Sequence, residues 1–120
     1  MPAEEEQARV TVEADIFSGR PNPSWTLKDD EGGEFRRRLA ALEPASGSFD
    51  GGPEGLGYRG LIIRIAGDVT ETVRVRQGSV DYKAATWADT DRSLERWAVS
   101  TAEGKIDSAL VDLLRREAAK

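Results

Sequence analysis

The sequence predicts an α+β domain, with a small antiparallel sheet of three to four strands and about three helices packed on one face. Three observations lead there. Apolar residues alternate along RVTVEADIF (residues 9–17), YRGLIIRIA (58–66) and VTETVRVRQ (69–77), the period of strands that bury one face. The last two stretches are joined through Gly67-Asp68, turn residues of the kind that connect hairpin strands. Segments with helical spacing flank the hairpin, which suits helices layered on one sheet rather than two domains.

At 120 residues the chain has room for one real core. Residues 1–8 are polar and acidic and read as a disordered tail, leaving 9–118 as a single domain. In the first strand Val10, Val12, Ala14 and Ile16 point one way, and Thr11, Glu13 and Asp15 the other. The segment SGRPNPS ends it. A helix is expected over roughly 27–42, with Thr26 and Asp29 at the spacing of a capping pair. Asp29, Asp30, Glu31 and Glu34 crowd its positive end and Arg36, Arg37 and Arg38 its negative end, as the helix dipole favours. Phe35, Leu39 and Leu42 make its apolar stripe.

Residues 43–57, EPASGSFDGGPEGLG, form a long glycine- and proline-rich loop. The hairpin register after it follows from burial. A two-residue turn would set Arg64 against Glu71, a pair worth about 0.2–1 kcal/mol. A three-residue connection places Leu61, Ile63 and Ile65 on one face with Val69, Val73 and Val75, and that larger apolar gain decides for it. A short strand over about Ser79–Ala84 follows. Beyond it Leu94, Trp97, Ala98 and Thr101 share a helix face that Gly104 terminates. Asp107 starts the last helix, with Ile106 and Val111 at hydrophobic-staple spacing.

Composition excludes much chemistry. Charged residues at 32% and hydrophobic ones at 38% describe a globular chain, not a disordered one. A net charge of -5 offers no global basic surplus for nucleic acid, so no nucleic-acid partner is expected. With neither cysteine nor histidine, disulfides, the usual zinc and copper ligand sets, and Ser-His-Asp or Cys-His nucleophiles are ruled out. Any metal would be a hard ion on carboxylate and carbonyl oxygens. The acidic pairs Asp89–Asp91 and Asp29–Glu31 lack calcium-loop spacing and stand at helix starts, where carboxylates are favoured. No metal or other cofactor is expected. No apolar run reaches membrane-spanning length and MPAEEEQAR is unlike a secretory leader, so the expected compartment is the cytoplasm, with no membrane partner. Thirteen arginines against four lysines fit a GC-rich bacterial genome.

FSGRPNPSW (17–25) is the segment that asks for a function. Proline fixes its own φ and holds the preceding residue extended, so Arg20 and Asn22 are both kept from helical values. A stiff loop loses little entropy when a partner docks. In one reading Arg20 and Asn22 are displayed outward with Phe17 or Trp25 as an aromatic anchor. In the other, Phe17 and Trp25 bury and the prolines only route the chain. Whether Trp25 is buried separates them. Tyr58 joins the candidates through GLGYRG (55–60), which matches the GxGxxG dinucleotide pattern but lacks the strand before it and the helix after it. The candidate binding residues are therefore Phe17, Arg20, Asn22, Trp25 and Tyr58.

FSGRPNPSW, taken with GLGYRG and LERW (94–97), resembles a group of small uncharacterised bacterial proteins that carry FSGRPNPxW near the front and a tryptophan-bearing helix near the end. The resemblance spans about Phe17 to Trp97 and implies one unit; it brings no activity and no catalytic residue. The expectation is a non-enzymatic interaction protein with a protein partner. The alternatives are a small-molecule anion binder or carboxylate-based enzyme, and an inhibitor or antitoxin-like partner.

Overall fold

The computed structural model describes residues 9–17, 21–45 and 58–119. The acidic tail 1–8, Arg20 and the 46–57 part of the long loop, with its glycines and Asp50–Glu54, lie outside the described residues. The elements run β1 (Val10–Ala14), β2 (Ser24–Thr26), α1 (Asp29–Ala40), β3 (Glu43–Pro44), β4 (Leu61–Ile65), β5 (Glu71–Arg76), β6 (Ser79–Tyr82), β7 (Ala85–Ala88), a 3-10 turn (Thr90–Arg92), α2 (Ser93–Ser100) and α3 (Ser108–Ala118).

The class is α+β as the patterning predicts, but the sheet is larger than expected. Seven strands, all antiparallel, lie in the order β2-β1-β4-β5-β6-β7-β3. The additional strands are short. β2 has three residues and buries only Trp25; β3 has two, both exposed. Neither is long enough to show a period. β7 follows β6 through Lys83-Ala84, a turn without the glycine or asparagine that marks hairpins. Both sheet edges are blunted by proline, with Pro23 just before β2 and Pro44 inside β3, which discourages further strand addition.

The hairpin adopts the register that apolar burial predicts, with Ile63 opposite Val73 and Leu61 opposite Val75. Val69 is not part of it; it sits in the connection and is 77% exposed. On the helix side, Val10, Val12, Ile63, Val73, Val75 and Val80 pack with Phe35, Leu94, Ala98, Val99 and Leu114 in one core. The other face of the strands carries Thr11, Glu13, Arg64, Thr72 and Arg74, none of them buried. Burial of that one face is what holds the layers together, at roughly 1.5–3 kcal/mol per large aliphatic side chain.

The helix starts differ from expectation in an instructive way. Thr26 does not cap α1: it pairs with Thr11 at the end of β2. The N-cap position is Lys28, whose backbone N–H donates to Glu31 Oε1 at 2.8 Å, while Leu27 is pulled into the core. α2 is capped instead by Asp89, whose carboxylate accepts from the Leu94 and Glu95 amides at 2.8 and 3.0 Å. Gly104 takes φ +80 in the turn region after α2, and Asp107 precedes α3. Gly60 is required by space: a Cβ there would meet Val75 O at 2.5 Å and Arg76 Cβ at 2.6 Å.

Candidate functional site

The segment after β1 is braced from within. Asn22 Oδ1 accepts from the Ile16 and Phe17 amides at 3.0 and 2.7 Å, and its Nδ2 donates to Glu13 Oε2 at 2.8 Å. One carboxamide thus replaces the regular backbone hydrogen bonding that the prolines deny this bend. Asn22 is turned inward, against the expectation that it displays itself to a partner. Trp25 also works from within. It is 4% exposed, so it buries as the routing reading expects and is no exposed anchor; its indole N–H donates to Thr101 Oγ1 at 2.8 Å, joining β2 to the end of α2. Phe17 is half-buried against the core, Pro21 is exposed, and Arg20 lies outside the described residues.

The residues leading into β4 meet this bend. The Arg59 amide donates to Asp15 O at 2.8 Å, and the Asp15 amide to Gly60 O at 2.9 Å. The Arg59 guanidinium reaches Asp15 Oδ1 at 2.8 Å and Phe17 O at 3.1 Å. Phe17, Asn22 and the Tyr58–Arg59 pair therefore share one corner at the start of β4, while Trp25 stands opposite Val12 on the helix side of the sheet. Arg59 was not among the residues the sequence singled out, although it adjoins Tyr58 in GLGYRG.

Tyr58 points the other way along the same corner. Its hydroxyl donates to Glu95 Oε2, the most buried acid of the described chain at 0% exposure. Glu95 also accepts from the Gln77 amide at 3.1 Å and from Arg92 Nε and Nη2, both at 3.0 Å. Arg92 Nη2 further donates to Glu117 O at 3.1 Å. Burial, and then the Glu95 charge, push the Tyr58 phenol far above its ordinary value. Sequence reasoning passed over Glu95. The signal was present, because Leu94, Glu95, Ala98, Val99 and Ala102 make one buried stripe and Glu95 stands inside it.

Glu95 has four donors, one for each acceptor site of its carboxylate, and Asp89, 2% exposed, accepts from two helix amides. The carboxylates of the solvated strand face are likewise engaged, Glu13 with Asn22 and Arg64, and Asp15 with Arg59. Among the described residues no group of three acids is arranged to hold a metal, and no helix is long and apolar enough to cross a membrane. Comparison with protein-family models, curated proteins and solved structures finds no match, and the functional reading rests on this geometry.

Proposed function

We propose that the protein is a non-enzymatic, cytoplasmic binding module that presents residues 17–25, flanked by the lead-in to β4, to a protein partner. The observation that carries this reading is the bracing by Asn22, which ties residues 16 and 17 to residue 22 before any partner arrives and so lowers the ordering cost of docking there. In this reading contact falls on Phe17 and exposed Pro21, with Arg20 as the charged anchor that the sequence supplies, while Tyr58, its hydroxyl given to buried Glu95, is a support and not a contact. Asn22 and Trp25 act from beneath, as the support of the platform rather than its surface. A protein partner suits the site better than nucleic acid, since the net charge is -5 and the Arg59 cation is already committed to Asp15.

The test is a pull-down from native lysate with wild type, an Arg20→Glu/Pro21→Ser variant, and Arg116→Ala on the exposed side of α3 as control. Partner bands lost only in the loop variant, with its melting temperature unchanged, support the reading. An identical set of partners from all three chains overturns it.

A further inference from the structure

The corner at Phe17 is held a second time, from the helix layer. Resting on the reading of this corner as the recognition surface, we propose that Glu95 is its positioning residue. The carboxylate, oriented by Arg92, anchors Tyr58 and through it the surface at Phe17, so that the start of α2 and the end of α3 govern how ordered the corner is.

Arg92 sets the carboxylate. Its Nε meets Glu95 Oε1 and its Nη2 meets Oε2, both at 3.0 Å, and Nη2 also donates to Glu117 O at 3.1 Å near the end of α3. A guanidinium bonded to both oxygens fixes the plane of a carboxylate, as the single ammonium of a lysine does not. Held in that plane, Oε1 accepts the Gln77 amide and Oε2 the Tyr58 hydroxyl. The backbone is bent to make this grip. Asp91 and Arg92 take φ 59 and 56 in succession, a left-handed region that residues with a Cβ keep only where their surroundings over-determine it. The Arg92 amide, donating to Asp89 O at 2.9 Å, and the guanidinium contacts together supply that determination.

From Tyr58 the path to the surface is one residue long. The Arg59 amide pairs with Asp15 O, and the Asp15 amide with Gly60 O. The Arg59 guanidinium then reaches Asp15 Oδ1 and Phe17 O. A shift of Tyr58 away from Glu95 therefore pulls on the residues that hold the Phe17 end of the bend.

The test is amide hydrogen exchange by NMR under native conditions, on the full chain with no partner present. Amides that exchange through a local opening speed up on mutation only if that opening breaks the contact removed. Tyr58→Phe takes one hydrogen bond from Glu95 and leaves the Arg92 pair in place, while Arg92→Lys keeps the charge and loses the fork. Both are expected to speed exchange at Asp15, Phe17 and Arg59 about tenfold, the loss of one hydrogen bond to a charged group. Val111→Ala, a truncation in the buried face of α3, should lower the melting temperature and leave those amides at their wild-type rates. Corner amides unmoved in either network variant, or sped as much by Val111→Ala as by Tyr58→Phe, would overturn the proposal. The measurement is independent of the pull-down. A coupled corner that captures no partner removes the recognition role alone, and an uncoupled corner that still captures one leaves that role standing and removes Glu95 from it.

Discussion

Asn22 Nδ2 lies 2.8 Å from Glu13 Oε2, so the bend after β1 hangs from the polar face of the strand it leaves. The same carboxamide receives two backbone amides on its oxygen. Removing it strands those amides in a half-buried place, at about 1 kcal/mol or more each. Asn22→Ala should therefore lower stability by about 2–3 kcal/mol in urea unfolding, and speed hydrogen exchange at Ile16 and Phe17 ahead of the core. A loss under about 0.5 kcal/mol, the size of an ordinary surface change, would show that the prolines alone hold the bend.

Glu95 ties together three elements that are distant in sequence: the lead-in to β4, the turn after β5 and α2 itself. Replacing one partner of a buried ion pair leaves the other charge uncompensated, typically at about 3–5 kcal/mol. Glu95→Ala should reach that range, while Tyr58→Phe, which removes one of four donors, should cost about 1–2 kcal/mol. A double-mutant cycle between Tyr58 and Arg92 is expected to show coupling, since both act through the same carboxylate. Strict additivity would argue against a shared network.

Much of the fold is legible because burial repeats. The β1, β4 and β5 alternation and the stripe of α2 are each long enough to fix a face, and Ile63 opposite Val73 follows from that alone. What is not legible is carried by single residues. Trp25 makes a strand out of three residues only because it faces Val12 and reaches Thr101, 76 positions away. Asn22 looks like a display residue in FSGRPNPSW because nothing local reveals that Ile16, Phe17 and Glu13 surround its carboxamide. For Trp25 the deciding partner is non-local and no window of sequence contains it; the partners of Asn22 stand only five to nine residues upstream, and it is the folding back of the chain, not their distance in sequence, that hides them.

The acid limb of stability should be steepened by Glu13. The hydrogen bond from Arg64, then that from Asn22, holds its carboxyl below the ordinary value of 4.5. A carboxylate whose folded pKa is lowered stabilises the fold above its unfolded value, and that contribution fades as pH falls through the folded one. Glu13→Gln should flatten the fall in melting temperature below about pH 4.5; an unchanged slope would show that the pair does not form in solution.

Asp89 has the opposite sign. Burial raises its pKa, ahead of the Leu94 and Glu95 amides that lower it. Its ionisation costs the fold stability, because a raised folded pKa gives a contribution that is full below the unfolded value and is lost as pH rises through the folded one. Asp89→Asn keeps an acceptor for one helix amide and sheds the buried charge, so it should cost about 1 kcal/mol or less at pH 7. Asp89→Ala strands both amides and should cost about 2 kcal/mol. Equal losses from the two variants would mean that the carboxylate charge, rather than its acceptor oxygens, holds the start of α2.

The β6–β7 turn carries strain that can be relieved. Lys83 and Ala84 take φ 53 and 62, the pair of positive values that a two-residue type I′ hairpin loop demands. Side chains with a Cβ pay about 1–2 kcal/mol in that region, and glycine does not. Against this gain stands the greater freedom glycine gives the unfolded chain, a loss of about 0.4–1 kcal/mol. The balance favours Ala84→Gly by about 0.5–1 kcal/mol, with Lys83 kept so that its contact with Glu71 survives. Differential scanning calorimetry should record a higher melting temperature. A lower one would mean that the hairpin tip holds some other geometry in solution than the pair of positive φ values described.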